Sequence, residues 1–133
     1  MSKTSVELVR SALDAMNRED IAALIAFSHP DIELRTLIGD VEGRADHGHD
    51  GVRQYFADMH DAWTENEYAV EDLIDAGSDR VVALVRWRAA GRGSGIRVDQ
   101  PVAAVYSIRD GLVYRIVVFQ SRDDALRSVG LSA

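Results

Sequence analysis

Cysteine is absent from the 133 residues of this chain. Disulfides and thiolate chemistry are therefore excluded, and a zinc ion could be held only by His, Asp or Glu. A basic excess is missing too. The net charge is −7 and the arginines are scattered among acids, which leaves no basic patch for nucleic acid. No apolar run approaches membrane-spanning length. The opening "MSKTSVELVRSAL" moves straight into a helical pattern without the apolar core of a signal peptide. These absences predict a soluble, cytoplasmic protein with neither nucleic acid nor membrane as partner. Repeats, low-complexity tracts and linkers are also lacking. What is present is an ordinary globular mixture, 47% hydrophobic and 28% charged. It is long enough to form one domain over residues 1–133 and to bury about two thirds of its surface.

Hydrophobic spacing is mostly helical in the first half of the chain and has a period of two in the second. Val6, Val9, Leu13 and Met16 recur at helical intervals behind "TSVE", a capping-box spacing of Thr4 and Glu7. Asn17 can close that helix, and Asp20 caps a second, "IAALIAF", that ends at Pro30. "DIELRTL" alternates as a strand, and "GDVEGRADHGH" reads as a loop. A third helix from about Asp50 to Trp63 places Tyr55, Phe56, Met59 and Trp63 near one face. The period then drops to two. "EYAVEDLIDAG", "RVVALVRWRAAG", "IRVDQPVAAVYSIRDG" and "LVYRIVVFQS" predict four strands, joined by the turn signals "GSD", "GRGSG" and "RDG". A tail helix, "RDDALRSVG", follows. The predicted class is α+β: a cone-shaped, curved antiparallel sheet whose helices cover one face and whose open end forms a small-molecule pocket.

"HGHDG" is the densest polar cluster. As a metal site it would offer Asp46, His47, His49 and Asp50, but two histidines in a glycine-flanked loop have no rigid frame. As a helix start it needs only glycines that turn and an Asp50 charge that suits the helix dipole. The second reading is preferred, so no metal and no cofactor are expected.

The phrases "VELVRSALDAMNREDIAALIAFSHPDIELRT", "GHDGVRQYF", "DRVVALVRWRAAGRGSG" and "YSIRDGLVYRIVVF" resemble the nuclear transport factor 2-like superfamily, in particular its SnoaL-like branch. The resemblance covers nearly the whole chain and implies the cone fold and a homodimer through the outer sheet face, which "VVALV" and "IVVF" could supply. It does not choose a function, because the superfamily holds isomerases, cyclases, epoxide hydrolases and binders. Ketosteroid isomerase chemistry would need a Tyr where Ala12 stands, a carboxylate where Thr36 stands and an acid near Ala103 to Val105. The cyclase pattern would need a His at Ala104 and an acid at Val118. The epoxide hydrolase pattern would need that same acid, with an Arg–Asp pair where Arg86-Trp87-Arg88 stands. None of these proton carriers is in place.

Ala104 and Val118 nevertheless mark the inward face. Parity then turns Gln100, Val102 and Tyr106 inward on one strand, and Tyr114, Ile116 and Gln120 on the next. The two glutamines could orient a carbonyl or hydroxyl. Met16, Tyr55, Met59 and Trp63 would form core or pocket wall, and Thr36 sits at the end of the first strand. His60 is the one helix histidine with a path inward. Arg86 and Arg88 share a face with Val82 and Leu84. Turned inward, Arg86 would clamp an anion; turned outward, it faces solvent or a second subunit. Asp99 is expected to pair outward with a neighbouring strand. The sequence favours a binder of a hydrophobic small molecule. Its alternatives are an isomerase-, cyclase- or hydrolase-type enzyme using an unusual polar set, and an adaptor acting through the sheet.

Overall fold

The computed structural model describes residues 2–36 and 46–131, with side chains from Ser5 onward. Helix α1 spans Ser2–Asn17 and buries Val9, Ala12, Leu13 and Ala15 along one stripe. It is already helical at Ser2, because Ser2 and Lys3 contain nothing that breaks a helix. Thr4 therefore lies inside α1, and the expected capping box is not its start. The helix does stop at Asn17, but the left-handed residue is Glu19, at φ 53°. The Asn17 side chain is used elsewhere: its Nδ2 donates to the Tyr68 carbonyl at 2.9 Å and its Oδ1 accepts from the Tyr68 N–H at 2.8 Å.

Helix α2 (Ile21–Phe27) begins where the Asp20 carboxylate accepts the Ala23 N–H at 3.0 Å. Strand β1 covers Ser28–Arg35 and so contains Pro30. Its register against β6 (Leu112–Phe119) slips between Ser28 and Glu33. The missing proline N–H thus falls where the ladder is already interrupted.

The loop expected over 39–49 lies outside the described residues as far as 45. Its end forms a short strand, β2 (Asp46–His47), which leads into α3 (Gly48–Ala62). Then come β3 (Trp63–Gly77), β4 (Arg80–Gly91), β5 (Arg97–Arg109), β6 and the tail helix α4 (Arg122–Ser128). Ser78 and Asp79, and likewise Asp110 and Gly111, are two-residue turns with both central residues at positive φ. That geometry matches the twist of the strands they join.

The sheet order is β2-β1-β6-β5-β4-β3. The meander β3 to β6 is antiparallel, whereas β1 runs parallel to β6. β1 reaches β6 only after the long excursion through α3 and three strands, so no hairpin dictates its direction. The result is an α+β fold with a curved, unclosed sheet. Helices α1, α2 and α3 fill the concave side, where Val9, Leu13, Ile32, Val52, Val81 and Val113 are among the buried residues.

The convex side is not bare. Ala125, Leu126 and Val129, at and just after α4, pack on Val82, Ala103 and Val105. Much of the apolar outer surface that "VVALV" offered to a second subunit is thus covered by the chain's own tail. Arg122, at the start of α4, fixes it by donating to the Val85 carbonyl at 2.9 Å and to Glu71. That hydrogen bond holds the Glu71 carboxyl below its ordinary range. Among the described residues no helix is long and apolar enough to cross a membrane.

Candidate functional site

The concave side encloses a cavity of about 250 Å³. Strand pairing sets its wall in rows. Tyr68, Trp87 and Gln100 are neighbours across β3, β4 and β5, and Val85 pairs Val102. Ala83, Ala104 and Val118 form the next row, and Tyr106 faces Ile116, which pairs Leu34 of β1. Helices close the other side with Ala12, Met16, Leu24, Val52, Tyr55 and Met59.

Of the residues singled out in the sequence, Met16, Thr36, Tyr55, Met59, Trp63, Gln100, Tyr106 and Gln120 line this cavity. Arg86 does not. Its neighbours Val85 and Trp87 face inward, so the pleat turns Arg86 to the convex side, where its Nε lies 2.5 Å from Asp99 Oδ1. An inward guanidinium would have no counter-ion among the described cavity residues, and burying it unpaired would be costly. Asp99 accordingly pairs outward. His60 is not in the cavity either. One residue beyond Met59, it is rotated about 100° around α3 and is exposed, with Nδ1 3.6 Å from Glu19.

Tyr114, expected to face inward with Ile116, is displaced by a bulge. Ser107 pairs Arg115 but Ile108 pairs Val113, which leaves Tyr114 as the extra residue. Val113 takes the inward position. Tyr114 instead packs edge-on against His29 and beneath the Arg109 guanidinium, 3.8 Å from its centroid.

The "HGHDG" stretch starts a helix. His47 is exposed at the position before α3. His49 Nε2 donates to the Ser28 carbonyl at 3.0 Å, tying α3 to β1. Gly48 adopts φ +69°, and a Cβ on Gly51 would lie 3.0 Å from the Asp46 carbonyl carbon. Glycine thus avoids backbone strain at 48 and a close approach to the Asp46 backbone at 51. Among the described residues no three His, Asp or Glu side chains converge as a metal site.

Sequence reasoning missed Tyr68, Trp87 and Asn66, which organise the polar core of the site. Tyr55 OH and Tyr68 OH are 2.9 Å apart. Asn66 Nδ2 donates to Tyr68 OH at 3.4 Å, and Trp87 Nε1 donates to Asn66 Oδ1 at 2.6 Å. Because an indole N–H can only donate, it fixes the amide orientation and makes Tyr68 the acceptor from Asn66. The phenols hold two protons, and one bond joins them. One proton therefore remains for a partner in the cavity.

Burial raises the Tyr55 phenol well above its ordinary range, and the nearby Tyr68 adds to the effect. Tyr68 is raised by burial, partly offset by its bonds to Tyr55 and Asn66. Tyr106 is raised by burial and then by Tyr68. A raised phenol leaves folding undisturbed below the unfolded phenol pKa and costs stability only as pH climbs above it. All three phenols stay protonated near neutrality. Among the described residues no charged side chain and no histidine lines the cavity. The site can donate hydrogen bonds to an oxygen and can surround an apolar body. Among the described residues it has no side chain that takes up a proton at neutral pH.

The fold has close structural counterparts. A nuclear transport factor 2-like protein of unknown function from Burkholderia pseudomallei superposes with a TM-score of 0.78 at 19% identity, covering 96% of this chain and 98% of that one. TerC, co-crystallised with polyporic acid, gives 0.78 at 19% identity over 95% and 97%. A protein of ketosteroid isomerase-like fold from Catenulispora acidiphila, in complex with trimethylamine, gives 0.75 at 17% identity over 94% and 93%. At these identities the likeness concerns the fold alone. No curated protein matches the chain. The family model described as the SnoaL-like domain matches residues 9–116, and with most of its length inside that match, the chain belongs to the SnoaL-like domain family.

Proposed function

We propose that this chain binds a neutral, largely apolar small molecule in the concave cavity, and that the phenol pair donates its spare proton to a carbonyl or ether oxygen of that ligand. The observation that carries this reading is the chemistry of the lining. Its described polar groups are phenols, indoles, amides and hydroxyls, with neither carboxylate nor imidazole. Ala104 and Val118 stand in the inner wall where a cyclase-type mechanism would want a proton carrier. Such a wall rewards apolar area and one well-placed acceptor. It penalises an anionic ligand, whose charge would meet no cation among the described lining residues.

Solved neighbours of this fold hold ligands as different as polyporic acid and trimethylamine, so the scaffold alone does not choose. The convergence of Tyr55, Tyr68 and Tyr106 favours a second reading. In it the site is an isomerase, cyclase or hydrolase-type enzyme whose phenols stabilise a developing oxyanion, and whose substrate needs no protein base. A homodimer on either reading would use the charged part of the convex face around Arg86, Arg88 and Asp99, beside α4.

The test is thermal denaturation with a neutral aromatic ketone and with the carboxylate of matching shape. A ketone at about a hundred times its Kd should stabilise the fold by roughly 2.7 kcal/mol, a rise of several degrees in Tm. The carboxylate should leave Tm unchanged. Equal stabilisation by both would overturn the neutral-ligand reading, and turnover of a bound ketone would favour the enzyme.

A further inference from the structure

Beside the cavity lies a smaller crevice of about 150 Å³, bounded by Glu19, His60, Thr64, Glu65, Asn66 and Arg92. Its lining is polar where that of the cavity is apolar. Three residues, Met16, Met59 and Trp63, belong to both walls. They form a partition between the two spaces.

The partition has an unresolved polar group. Trp63 Nε1 is buried and has no hydrogen-bond partner. A buried N–H without an acceptor is costly, so the observed position of this ring is held by packing against that penalty. The contrast with Trp87 is direct. The two rings meet edge to face with centroids 5.0 Å apart, yet the Trp87 N–H is satisfied by Asn66.

The backbone around Trp63 is fixed. The Arg92 amide donates to the Ala62 carbonyl at 2.9 Å. Its guanidinium donates to the carbonyls of His60 and Trp63, at 3.0 and 3.2 Å. Movement is therefore left to side chains, and the other two members of the partition are unbranched methionines that re-pack readily. Just beyond Trp63 the register of β3 slips between Thr64 and Glu67, with Glu65 at φ 52°. Glu65 lines the crevice with its Oε2 3.4 Å from Arg97, and Glu19 lines it with its Oε1 3.6 Å from His60; each carboxylate has a second oxygen that can accept a further hydrogen bond.

We propose that the crevice is the outer chamber of the ligand site, joined to the cavity when Trp63 swings aside, and that it takes the polar end of an amphipathic ligand whose apolar body lies in the cavity. The Trp63 N–H then gains an acceptor, either on the ligand's polar end or on the crevice rim. The crevice offers acceptors at Glu19 and Glu65 and donors at Asn66 and Arg92. This mixture suits an uncharged, oxygen-rich chain rather than an ion of either sign. The inference rests on the ligand-binding reading given above.

Two ligands test it: 2-acetylnaphthalene, sized for the cavity alone, and the same ketone bearing a triethylene glycol chain on its far ring. Titration calorimetry on the wild-type protein should show the extended ketone binding at least tenfold more tightly. In His60→Trp, which fills the crevice from an exposed helix position, the ratio of the two dissociation constants should fall to about one. The chain contains two tryptophans, so an indole N–H spectrum of ¹⁵N-labelled wild-type protein has two side-chain signals. The Trp63 signal should move downfield with the extended ketone and not with the compact one. Equal affinities in the wild type, an advantage that survives His60→Trp, or an unmoved Trp63 signal would each overturn the two-chamber site while leaving the cavity reading intact. Failure of both ketones to bind would overturn the cavity reading, and this inference with it.

Discussion

The two faces of one sheet are built from alternate residues of the same strands and could hardly differ more. Along β4, Ala83, Val85 and Trp87 face a cavity without charge among its described residues. One residue out of step, Arg86 and Arg88 meet Asp99 and Glu67 across the convex face. The convex face is closed where α4 covers it and ion-paired where α4 stops. The concave face keeps its described polar groups neutral and joins Tyr55, Tyr68, Asn66 and Trp87 in one chain of hydrogen bonds. The chain thus removes charge from the surface that would bind and spends it on the surface that would not. A pleat with a period of two makes that separation available to any strand.

Moving a charge across the sheet should have the largest effect. Ala104→Asp would place a carboxylate in the neutral wall, at a cost of about 3–5 kcal/mol at pH 7 for a buried charge with no partner. Burial would raise that carboxyl's pKa in the folded state. The penalty should therefore be absent below about pH 4, the unfolded value, and grow as pH rises from there towards the folded one. Urea denaturation at a series of pH values checks it, and the absence of a penalty that grows with pH would mean that the cavity wall is wet. Tyr68→Phe keeps the ring and removes the hydroxyl that joins Asn66 to Tyr55, for about 1 kcal/mol of stability. It should also narrow the preference for a ketone over the matching hydrocarbon, measured by calorimetry. The smallest effect should come from the convex face. Arg86→Ala breaks a half-exposed pair with Asp99 and should cost about 0.5 kcal/mol in dilute buffer, and less in 1 M salt.

Much of this contrast is legible in the sequence, because period two survives in β4 and β5, where the register is unbroken. Gln100 and Tyr106 follow by alternation from Ala104, whereas on β4 alternation gives two sets and does not say which of them faces the cavity. What was not legible depends on partners. Tyr114 leaves the inner face because of a bulge that only pairing with β5 creates. Tyr68 lies on a strand whose register slips at three places, so counting along it loses parity. Asn66 bridges a phenol two residues along its own strand to an indole on β4, and no local pattern carries the second bond. For Trp87, neither the inward direction nor the hydrogen bond to Asn66 was visible. The tail helix was expected, yet nothing in "RDDALRSVG" states which side of the sheet it takes.

The Asn17 amide has a further consequence. β3 is an edge of the sheet, 15 residues long, and an edge of that length is a template on which another chain can add a strand. Asn17 holds both the N–H and the C=O of Tyr68, the same two groups an incoming strand would need to continue past that point. A single side chain thus acts as a counterfeit neighbour, a one-residue strand that ends the sheet. It makes α1 a guard against self-association at the edge that also carries Tyr68.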